Sequence, residues 1–408
     1  MTKEVKNVPD LRFSEFKGAW EEKKLSDVGY YSKSYPYSRA IEGEGIIHHI
    51  HYGDIHSKLP SKINDINLLP TIVENRNFEF VKKGDIIFAD ASEDYKDLGK
   101  AVLVNIEDNN IIASLHTHVF RLNKEISAEF LMNFTKTLNY YKFIKKQGTG
   151  ISVLGISKKN LSNLTLNIPE YNEQQKIGIF FSKLDRQIEL EEQKLEKLEE
   201  QKKGYMQQIF SQQLRFKDEN GNEYPEWEEK KLGDILERGN KDKVNEIGKY
   251  RRLTISLHGK GLYEVKQERK TKDTRPFYQR FEGELIIGKQ NFFNGSIAIV
   301  TREFNGFICS NAIMSYKISN HMNRKYLLEY LLQNDFLRKN EYLADGTGQK
   351  ELSEKKFEEL EIKLPNSINE QQKIGVFLER LDNLIEKQSN KLELLKQRKK
   401  SFLQKMFV

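Results

Sequence analysis

Two stretches of the chain alternate apolar and polar positions with the spacing of a coiled-coil helix. From Ile177 the apolar residues recur at alternating steps of four and three, and the same spacing begins again at Ile374. This heptad pattern is typical of the buried seam between two helices. The predicted seam residues are Ile177, Phe181, Leu184, Ile188, Leu195, Leu198 and Ile209 in the first stretch, and Ile374, Leu378, Leu381, Ile385, Leu392, Leu395 and Met406 in the second.

Each predicted helix is about 60 Å long at about 1.5 Å per residue, and its apolar seam needs a partner. The other helix is the nearest candidate. Lys202 and Lys399 occupy matching seam positions, as do Glu191 and Gln388. A parallel pair in register would place the two lysines together in the seam, so the sequence favours antiparallel pairing. The alternative is that each helix packs on its own domain as an ordinary amphipathic helix.

Short segments around these helices are also duplicated, which indicates a tandem repeat. Four segments occur twice in the same order: LRF at residues 11–13 and 214–216, WEEKKL at 20–25 and 227–232, GTG at 148–150 and 346–348, and NEQQKIG at 172–178 and 369–375. Asn172 and Asn369 are predicted helix N-caps, each with a glutamine at the third helical position. NEQQKIG is therefore expected to be a junction between domain and helix.

Between these segments the two bodies of the chain differ, and both combine short strands with a helix. Strands are predicted at 85–90, 101–106, 284–288 and 296–300, and one helix late in each body at 128–145 and 324–340. The expected fold class is α+β, with two similar mixed α/β domains in tandem and two long helices forming an antiparallel coiled coil with pseudo-two-fold symmetry. The expected segments are 1–169 and 213–366 for the domains, and 170–212 and 367–408 for the helices.

Composition indicates several domains and a polyanionic partner. At 408 residues the chain exceeds what one hydrophobic core usually supports. Its net charge of +7, from 67 basic and 60 acidic residues, favours nucleic acid. Cys309 is the only cysteine, which excludes an intrachain disulfide and fits the cytoplasm. Neither a signal peptide nor an apolar run of about 18 residues occurs, so no membrane partner is expected.

The sequence lacks the motifs of several enzyme classes. It contains no NPPY loop of the kind found in amino-methyltransferases and no nucleotide-binding loop of the GxxxxGK[ST] or GxGxxG type. The chain is therefore expected to have no catalytic residues and to bind no cofactor. An alternative interpretation is a nuclease cluster of Asp85, Asp90 and Asp94 with Lys96, which could hold Mg²⁺.

The segment HIHYGDIHSK, residues 49–58, has three interpretations. His49 and His51 on one face of a strand could bind a metal, although no cysteine assists them and the second body has no such cluster. A solvated loop is the second interpretation. We favour the third, a surface that hydrogen-bonds to bases and phosphates.

Basic and polar residues at comparable places in the two bodies are the candidate DNA contacts. In the second body they extend through the basic run KQERKTKDTR at 266–275. The candidates are Tyr52, His56, Lys58, Lys145, Lys146 and Thr149 in the first body, and Arg251, Arg252, His258, Lys260, Arg269, Lys270, Arg275, Lys289, Gln290 and Thr347 in the second.

This arrangement resembles the specificity subunit of type I restriction-modification systems, which has two target recognition domains. The likeness is carried by the paired WEEKKL openings, the GDII-like strands at Gly84 and Gly283, the two GTG turns and the NEQQKIG segments that lead into heptad helices. It covers nearly the whole chain. It implies that each domain recognises one half of a split DNA sequence, that the helices form the spacer between the domains, and that this chain is not an enzyme. The length of the spacer is expected to set the gap between the half-sites at roughly one helical turn, about 10 bp, or somewhat more.

The resemblance also implies the partners. These are double-stranded DNA, two methyltransferase subunits that methylate adenine, and two restriction subunits bound through the methyltransferases. S-adenosylmethionine, ATP and Mg²⁺ would be bound by those partners rather than by this chain. Two interpretations from other classes compete with it: a stand-alone nuclease that cuts DNA with Mg²⁺, and a coiled-coil protein that tethers two partners without binding DNA.

Overall fold

The computed structural model describes residues 7–107, 110–265, 275–343 and 351–408. The chain divides into two compact units. The first unit comprises Met1–Gln193 and Asn390–Val408, and the second unit comprises Lys194–Ser389. Each unit therefore contains one of the predicted bodies together with part of both long helices, and the finer division into four segments remains a prediction.

The first unit combines β-sheets with short helices before the first long helix. Its strands are β1 (Glu21–Lys24), β2 (Gly29–Tyr31), β3 (Glu42–Ile50), β4 (Lys62–Ile63), β5 (Thr71–Ile72), β6 (Ile86–Ala89), β7 (Ala91–Ser92), β8 (Ala101–Val104), β9 (Ile111–Ala113), β10 (Thr117–Leu122), β11 (Leu154–Gly155) and β12 (Thr165–Ile168). Its helices are α1 (Tyr52–Ser57), α2 (Ala128–Phe134), α3 (Leu138–Gln147), α4 (Lys158–Ser162) and the first part of α5 (Tyr171–Phe210). The central sheet has the order β2-β10-β6-β8-β4, and β6 is buried along its whole length.

The described residues of the second unit repeat this plan with fewer strands. Its strands are β13 (Glu228–Lys231), β14 (Leu236–Arg238), β15 (Leu253–Ile255), β16 (Leu262–Glu264), β17 (Phe277–Gln279), β18 (Leu285–Gly288), β19 (Ile297–Ile299), β20 (Ile308–Ser310), β21 (Ile313–Ile318) and β22 (Glu361–Leu364). Its helices are α6 (Leu232–Ile235), α7 (Arg324–Leu331), α8 (Asn334–Lys339), α9 (Glu354–Glu358) and most of α10 (Ile368–Lys405). The central sheet has the order β14-β21-β18-β19.

The duplicated segments occupy the same structural positions in both units. WEEKKL supplies β1, which pairs antiparallel with β12, and its second copy supplies β13, which pairs antiparallel with β22. Gly84 and Gly283 each lie two residues before a central strand, β6 or β18, at φ values of +91° and +87°, a backbone conformation that favours glycine. The repeat seen in the sequence is therefore a repeat of backbone geometry.

NEQQKIG joins the first body to α5 through a buried ion pair. Glu173 is fully buried, and Arg12 from the LRF segment donates to both of its carboxylate oxygens at 2.7 and 2.6 Å. The adjacent Gln174 accepts from the backbone N–H of Ser127, the N-cap of α2, at 2.8 Å and donates to the carbonyl of Pro169 at 2.9 Å. These contacts hold α2 and the end of β12 against the first turn of α5.

The second copy makes the same junction with its own residues. Arg215 donates to both carboxylate oxygens of the fully buried Glu370 at 3.2 and 3.0 Å. Gln371 accepts from the backbone N–H of Asn323, the N-cap of α7, at 2.9 Å and donates to the carbonyl of Pro365 at 2.9 Å. LRF and NEQQKIG are thus paired parts of one structural element that the chain uses twice.

The glycine of NEQQKIG allows the close approach of a neighbouring helix. A Cβ at Gly178 would lie 2.8 Å from the Cβ of Glu129, and a Cβ at Gly375 would lie 2.5 Å from Oδ1 of Asn323. Any larger residue at either position would push the long helix away from the short helix beside it.

The N-cap prediction for this segment was wrong by two positions. α5 begins at Tyr171 and α10 at Ile368, so Asn172 and Asn369 lie inside the first helical turn. The backbone carbonyls of Glu170 and Ser367 accept the N–H groups of Gln174 and Gln371, which makes those two residues the caps. The glutamines that bond to neighbouring elements, Gln174 and Gln371, each precede by one residue the glutamine expected at the third helical position, Gln175 or Gln372.

The long helices are antiparallel within the first unit. The ring of Phe180 on α5 lies 5.1 Å from that of Phe402 on α10, and five residues further along α5, Asp185 forms an ion pair with Lys399. The partner's number falls as the position along α5 rises. Met406 and Phe407, the two residues that follow α10, enter the same apolar core as Ile177 and Phe181.

The same direction of pairing holds within the second unit. Lys202 on α5 lies 2.7 Å from Asp382 on α10, and further along α5 the ring of Tyr205 lies 5.2 Å from that of Phe377. Each seam lysine, Lys202 and Lys399, therefore pairs with an aspartate rather than with the other lysine. The antiparallel coiled coil expected from the seam lysines is confirmed.

None of the predicted seam residues is exposed. Five are partly buried and the rest are buried; the partly buried ones are Ile188, Leu195, Leu198, Leu381 and Ile385. The long helices also pack on a domain core. Ile209 near the end of α5, and Ile374 and Leu378 near the start of α10, belong to the core of the second unit. Packing on a domain, raised as an alternative, thus occurs together with helix pairing.

Each of the helices predicted late in the two bodies is two shorter helices. The stretch 128–145 divides into α2 and α3, because the Thr137 side chain accepts from the N–H of Tyr140 and caps a new helix. The stretch 324–340 divides into α7 and α8, with Gln333 as the cap between them.

Among the residues that the structure describes, no helix is long and apolar enough to cross a membrane.

We expect Arg12→Ala to destabilise the first unit by about 3 kcal/mol, because it leaves the Glu173 carboxylate buried without its partner. The chain has two tryptophans, Trp20 in the first unit and Trp227 in the second. Trp20 fluorescence during urea unfolding, in a Trp227→Phe background, would report on the first unit alone. The control is Lys183→Ala, an exposed position on the same helix. A loss below about 1 kcal/mol for Arg12→Ala would contradict the role given to this ion pair.

Candidate nucleic-acid interface

Two of the predicted contacts in the first unit lie on α1. His51 caps this helix by accepting from the N–H of Gly53 at 3.1 Å, and the capped helix presents Tyr52 and His56. The Tyr52 ring packs against the rings of His51, His56 and His116, with centroids 4.6, 5.5 and 5.2 Å away. Burial lowers the pKa of His56, which favours the neutral ring. The segment therefore folds into a partly buried aromatic cluster rather than a solvated loop.

His116 is a member of this cluster that the sequence interpretation missed. It precedes β10 with φ of +56°, an uncommon conformation for a residue with a side chain, and its side chain is 47% exposed. Its Nδ1 lies 3.1 Å from Oδ1 of Asp90, at the end of β6. The only sequence signal for it was HTH, a pair of alternating histidines at the start of an apolar strand.

The loop after α3 reaches the same end of the central sheet. Thr149 and Gly155 exchange backbone hydrogen bonds at 2.9 and 2.7 Å, and β11, at the end of this loop, pairs with β7, which directly follows Asp90. Lys145 and Lys146 are exposed in the last turn of α3. The structure thus brings Thr149 near the Asp90 strand end.

Lys58, which follows α1, is mainly exposed. Its side chain is 70% exposed, and its Nζ lies 3.7 Å from Oδ1 of Asp54. This separation leaves the ammonium accessible to an anion, so Lys58 remains a candidate phosphate contact.

The nuclease interpretation of Asp85, Asp90 and Asp94 is not supported by their positions. Asp85 is buried and paired with Arg121 at 2.6 Å, and Asp94 accepts from the backbone N–H groups of Lys96 and Asp97 at the start of a turn. These carboxylates therefore have different hydrogen-bond and ion-pair partners. Within the described residues, no group of three or more His, Cys, Asp or Glu side chains is arranged to hold a metal ion.

The two histidines considered as metal ligands have structural partners. Nδ1 of the fully buried His49 lies 2.8 Å from the Ser114 hydroxyl, and its Nε2 lies 3.3 Å from Glu42. His51 uses its Nδ1 in the cap of α1. Burial lowers the pKa of both rings. Their role in the structure is to fix β3 and α1.

The second unit places two loops side by side. His258 and Lys260 lie in the turn between β15 and β16, where His258, Gly259 and Gly261 all have positive φ. The backbone N–H groups of His258 and Gly259 donate to the carbonyls of Asn294 and Gly295 at 2.8 and 2.9 Å. That second loop begins at the end of β18, where the candidates Lys289 and Gln290 lie. Four predicted contacts are thereby carried by two connected loops.

Two predicted arginines are held by their own unit. The Arg251 guanidinium makes a bidentate ion pair with Glu264, with one contact at 2.8 Å, and stacks 4.4 Å above the Phe307 ring. Hydrogen bonding to Glu264 raises the pKa of Arg251. Arg252 lies 4.5 Å above the Phe277 ring. Glu264 therefore compensates the charge of Arg251, although a DNA contact from Arg251 stays a prediction.

The remaining candidates of the second unit are on the surface or outside the described residues. Arg275 and Gln290 are exposed. Arg269, Lys270 and Thr347 lie outside the described residues, as does the second GTG segment.

Comparison with known proteins identifies the family to which the chain belongs. The model of the family described as "Type I restriction modification DNA specificity domain" matches residues 17–200 and 224–397. Two curated relatives from Methanocaldococcus jannaschii are each 23% identical. The "Type I restriction enzyme MjaVIII specificity subunit" aligns over 64% of this chain and 65% of its own length, and the "Putative type I restriction enzyme MjaX specificity subunit" over 78% and 76%. The chain thus spans about two thirds of the first relative.

Two solved structures have a similar fold. The type I restriction-modification S subunit from M. genitalium superposes with a TM-score of 0.61 at 16% identity, covering 98% of this chain and 99% of the other. A chain from a structure described as "Structural basis underlying complex assembly and conformational transition of the type I R-M system" gives 0.53 at 16% identity, covering 94% and 96%. At these identities the likeness establishes the fold alone.

Lys260→Ala and Arg251→Ala remove the same charge from the second unit and are expected to differ in effect. Lys260 is exposed, and within the described residues it forms no ion pair, so its loss should reduce the slope of log affinity against log salt by about 0.9. Arg251→Ala should change this slope much less, because Glu264 already compensates the arginine. Fluorescence anisotropy with duplex DNA at several salt concentrations measures both. Equal changes in slope would contradict the distinction.

Proposed function

The chain belongs to the type I restriction-modification DNA specificity family, and on that premise we propose that it is the DNA-recognition subunit of such a system, with no catalysis of its own. Each unit would recognise one half of a bipartite DNA sequence. The observation that carries the proposal is a repeated junction, Arg12 with Glu173 and Arg215 with Glu370, in two units whose loop and strand-end side chains differ. A constant frame suits identical assembly partners, and dissimilar surfaces suit two different half-sites.

Contact with DNA would combine charge with hydrogen bonding. Exposed lysines such as Lys145, Lys146 and Lys260 would neutralise phosphates and set the register of each unit on the duplex. Polar side chains at the strand ends and neighbouring loops would contact base edges in the major groove, where all four base pairs differ in their donors and acceptors.

The paired long helices would set the distance between the half-sites. Support comes from the antiparallel contacts of α5 and α10 within both units, which make the helices a shared support rather than two independent ones. A separation of roughly one helical turn of DNA, about 10 bp, follows if the two half-sites are contacted from the same side of the duplex.

A duplicated exposed face of the long helices is the proposed docking surface for the methyltransferase subunits. Ile179 on α5 and Val376 on α10 hold the same place in the repeat, and they are 56% and 45% exposed despite being apolar. Ile179 lines a groove of about 720 Å³ with Gln175 and Lys183. In the second unit, Gln372, Val376 and Arg380 line a groove of about 680 Å³.

The repeated helix face of the two grooves indicates how many partners would bind, while their opposite walls differ and come from residues 126–129 in the first unit and from the 216–224 segment in the second. Two copies of one partner can dock on one chain only where the chain offers the same chemistry twice, and each groove offers an amide, an aliphatic side chain and a cation. Two methyltransferase subunits would therefore bind, and two restriction subunits would join through them. S-adenosylmethionine, ATP and Mg²⁺ would belong to those partners.

Replacing the first body, residues 14–169, with that of a relative tests the division of recognition. The proposal predicts that the methylated DNA sequence changes in one half only, while the other half and the gap stay the same. Mapping N6-methyladenine in cells that express the hybrid with its partner subunits measures this. A change in both halves would contradict the assignment of one half-site to each unit.

Aspartate substitutions test the docking face. With Ile179→Asp or Val376→Asp the chain should retain one methyltransferase subunit, and with both substitutions it should retain none, because each charge opposes burial of an apolar contact. Native mass spectrometry of the reconstituted complex counts the subunits. Val73→Asp, at an apolar residue 61% exposed in the first body, is the matched control and should retain two. Two subunits bound to the double variant would refute this surface.

A further inference from the structure

The central strands of the two units end in the same hydrogen-bonded frame. Beyond the end of β6, the N–H of Asp90 donates to the carbonyl of His116 at 3.0 Å, and beyond the end of β18, the N–H of Lys289 donates to the carbonyl of Ala312 at 3.0 Å. His116 directly precedes β10 and Ala312 directly precedes β21, the neighbouring strand in each sheet. Asp90 and Lys289 are therefore equivalent positions.

A third segment completes the equivalence. The carbonyl of Asp90 accepts from the N–H of Ile156 at 2.8 Å, and the carbonyl of Lys289 accepts from the N–H of Leu352 at 3.0 Å. Ile156 and Leu352 are each followed by a serine that caps a short helix, α4 in the first unit and α9 in the second. Both backbone groups of each strand-end residue are thus fixed in the same way, and only the side chain is left to vary.

The side chains at these equivalent positions are opposite in chemistry. The first unit has the Asp90 carboxylate and the imidazole of His116, while the second has the Lys289 ammonium and the methyl group of Ala312. Lys289 forms no ion pair within the described part of the chain. A structural role common to both units would favour similar residues, whereas contact with two different ligands favours dissimilar ones.

The Asp90 contact determines what His116 presents to a ligand. A carboxylate can only accept, so the Nδ1 that lies 3.1 Å away carries a proton, and in the neutral form of the ring this tautomer leaves Nε2 as an acceptor. The ring is 47% exposed and is supported from one side by Tyr52. His116 also has a left-handed backbone, which costs on the order of 1 kcal/mol or more and is a kind of strain that clusters at functional sites.

The same backbone hydrogen bonds thus hold the end of β6 and the end of β18, and the two strand ends present different side chains. We propose that His116 and Lys289, which belong to the same frame in the two units but not to the same position in it, are specificity-determining residues, one for each half-site, and that Asp90 is the positioning residue for His116. This inference rests on the proposed DNA-recognition function. Nε2 of His116 accepts from the exocyclic amino group of an adenine or a cytosine, and the Lys289 ammonium donates to the O6 and N7 acceptors of a guanine.

Selection from a pool of duplexes randomised in both half-sites, with the full chain bound to its methyltransferase subunits, tests the inference. His116 is replaced by glycine because glycine adopts a positive φ without strain, so the backbone of the strand end should not change. His116→Gly should lose about tenfold in discrimination at one base pair of the first half-site, and Lys289→Ala about tenfold at one base pair of the second. All other positions should keep the wild-type preference.

Two further variants separate base recognition from folding. Asp90→Asn allows the His116 imidazole to change tautomer. It should therefore reduce base discrimination at the same base pair as His116→Gly and at no other, whereas loss of a purely structural role would not be confined to one base pair. His321→Ala removes an exposed histidine distant in sequence from both strand ends and should leave every position unchanged.

The outcomes distinguish this inference from the function on which it rests. If His116→Gly and Lys289→Ala select the wild-type sequence while an exchanged first body still alters one half-site, the residue assignment is overturned and the proposed function stands. If the wild-type complex selects no sequence at all, both are overturned.

Discussion

The structure depends on an ion pair between a buried glutamate and an arginine, which occurs once in each unit. Glu173 and Glu370 have no solvent exposure, and an unpaired carboxylate in such a place would cost several kcal/mol. Arg12 and Arg215, from the LRF segments that precede each body, meet this need. The start of each body is thereby tied to the start of the long helix that follows it, and the paired strands β1 with β12 and β13 with β22 lie between those two points.

The heptad spacing made the long helices predictable from the sequence, and the seam lysines made their direction predictable. A residue every 3.5 positions is a property of one helix, and Lys202 and Lys399 could be compared without knowing the fold. The break between α2 and α3 was not predictable in the same way, because the apolar pattern continues through it and only the Thr137 hydroxyl shows where a new helix starts.

The candidate site was predictable in its region and less so in its residues. Tyr52 and His56 were found because they lie in one unusual segment. His116 was missed because its partner Asp90 is 26 residues away, and the contact exists only once β6 and β10 pair. Arg251 looked like a free cation in the sequence, yet Glu264 compensates it across the β15–β16 pair. Charge compensation across strands depends on register, which propensity rules do not supply.

The protein combines a constant support of two long helices with strand ends that differ between its units, and the length of the support should set the gap between the recognised half-sites. Deleting one heptad from each helix, residues 190–196 and 387–393, keeps the antiparallel pairing and shortens the support by about 10 Å, or about three base pairs of DNA. Mapping the methylated sites of this variant measures the gap directly. The account predicts unchanged half-sites with a gap about three base pairs shorter, and an unchanged gap would contradict it.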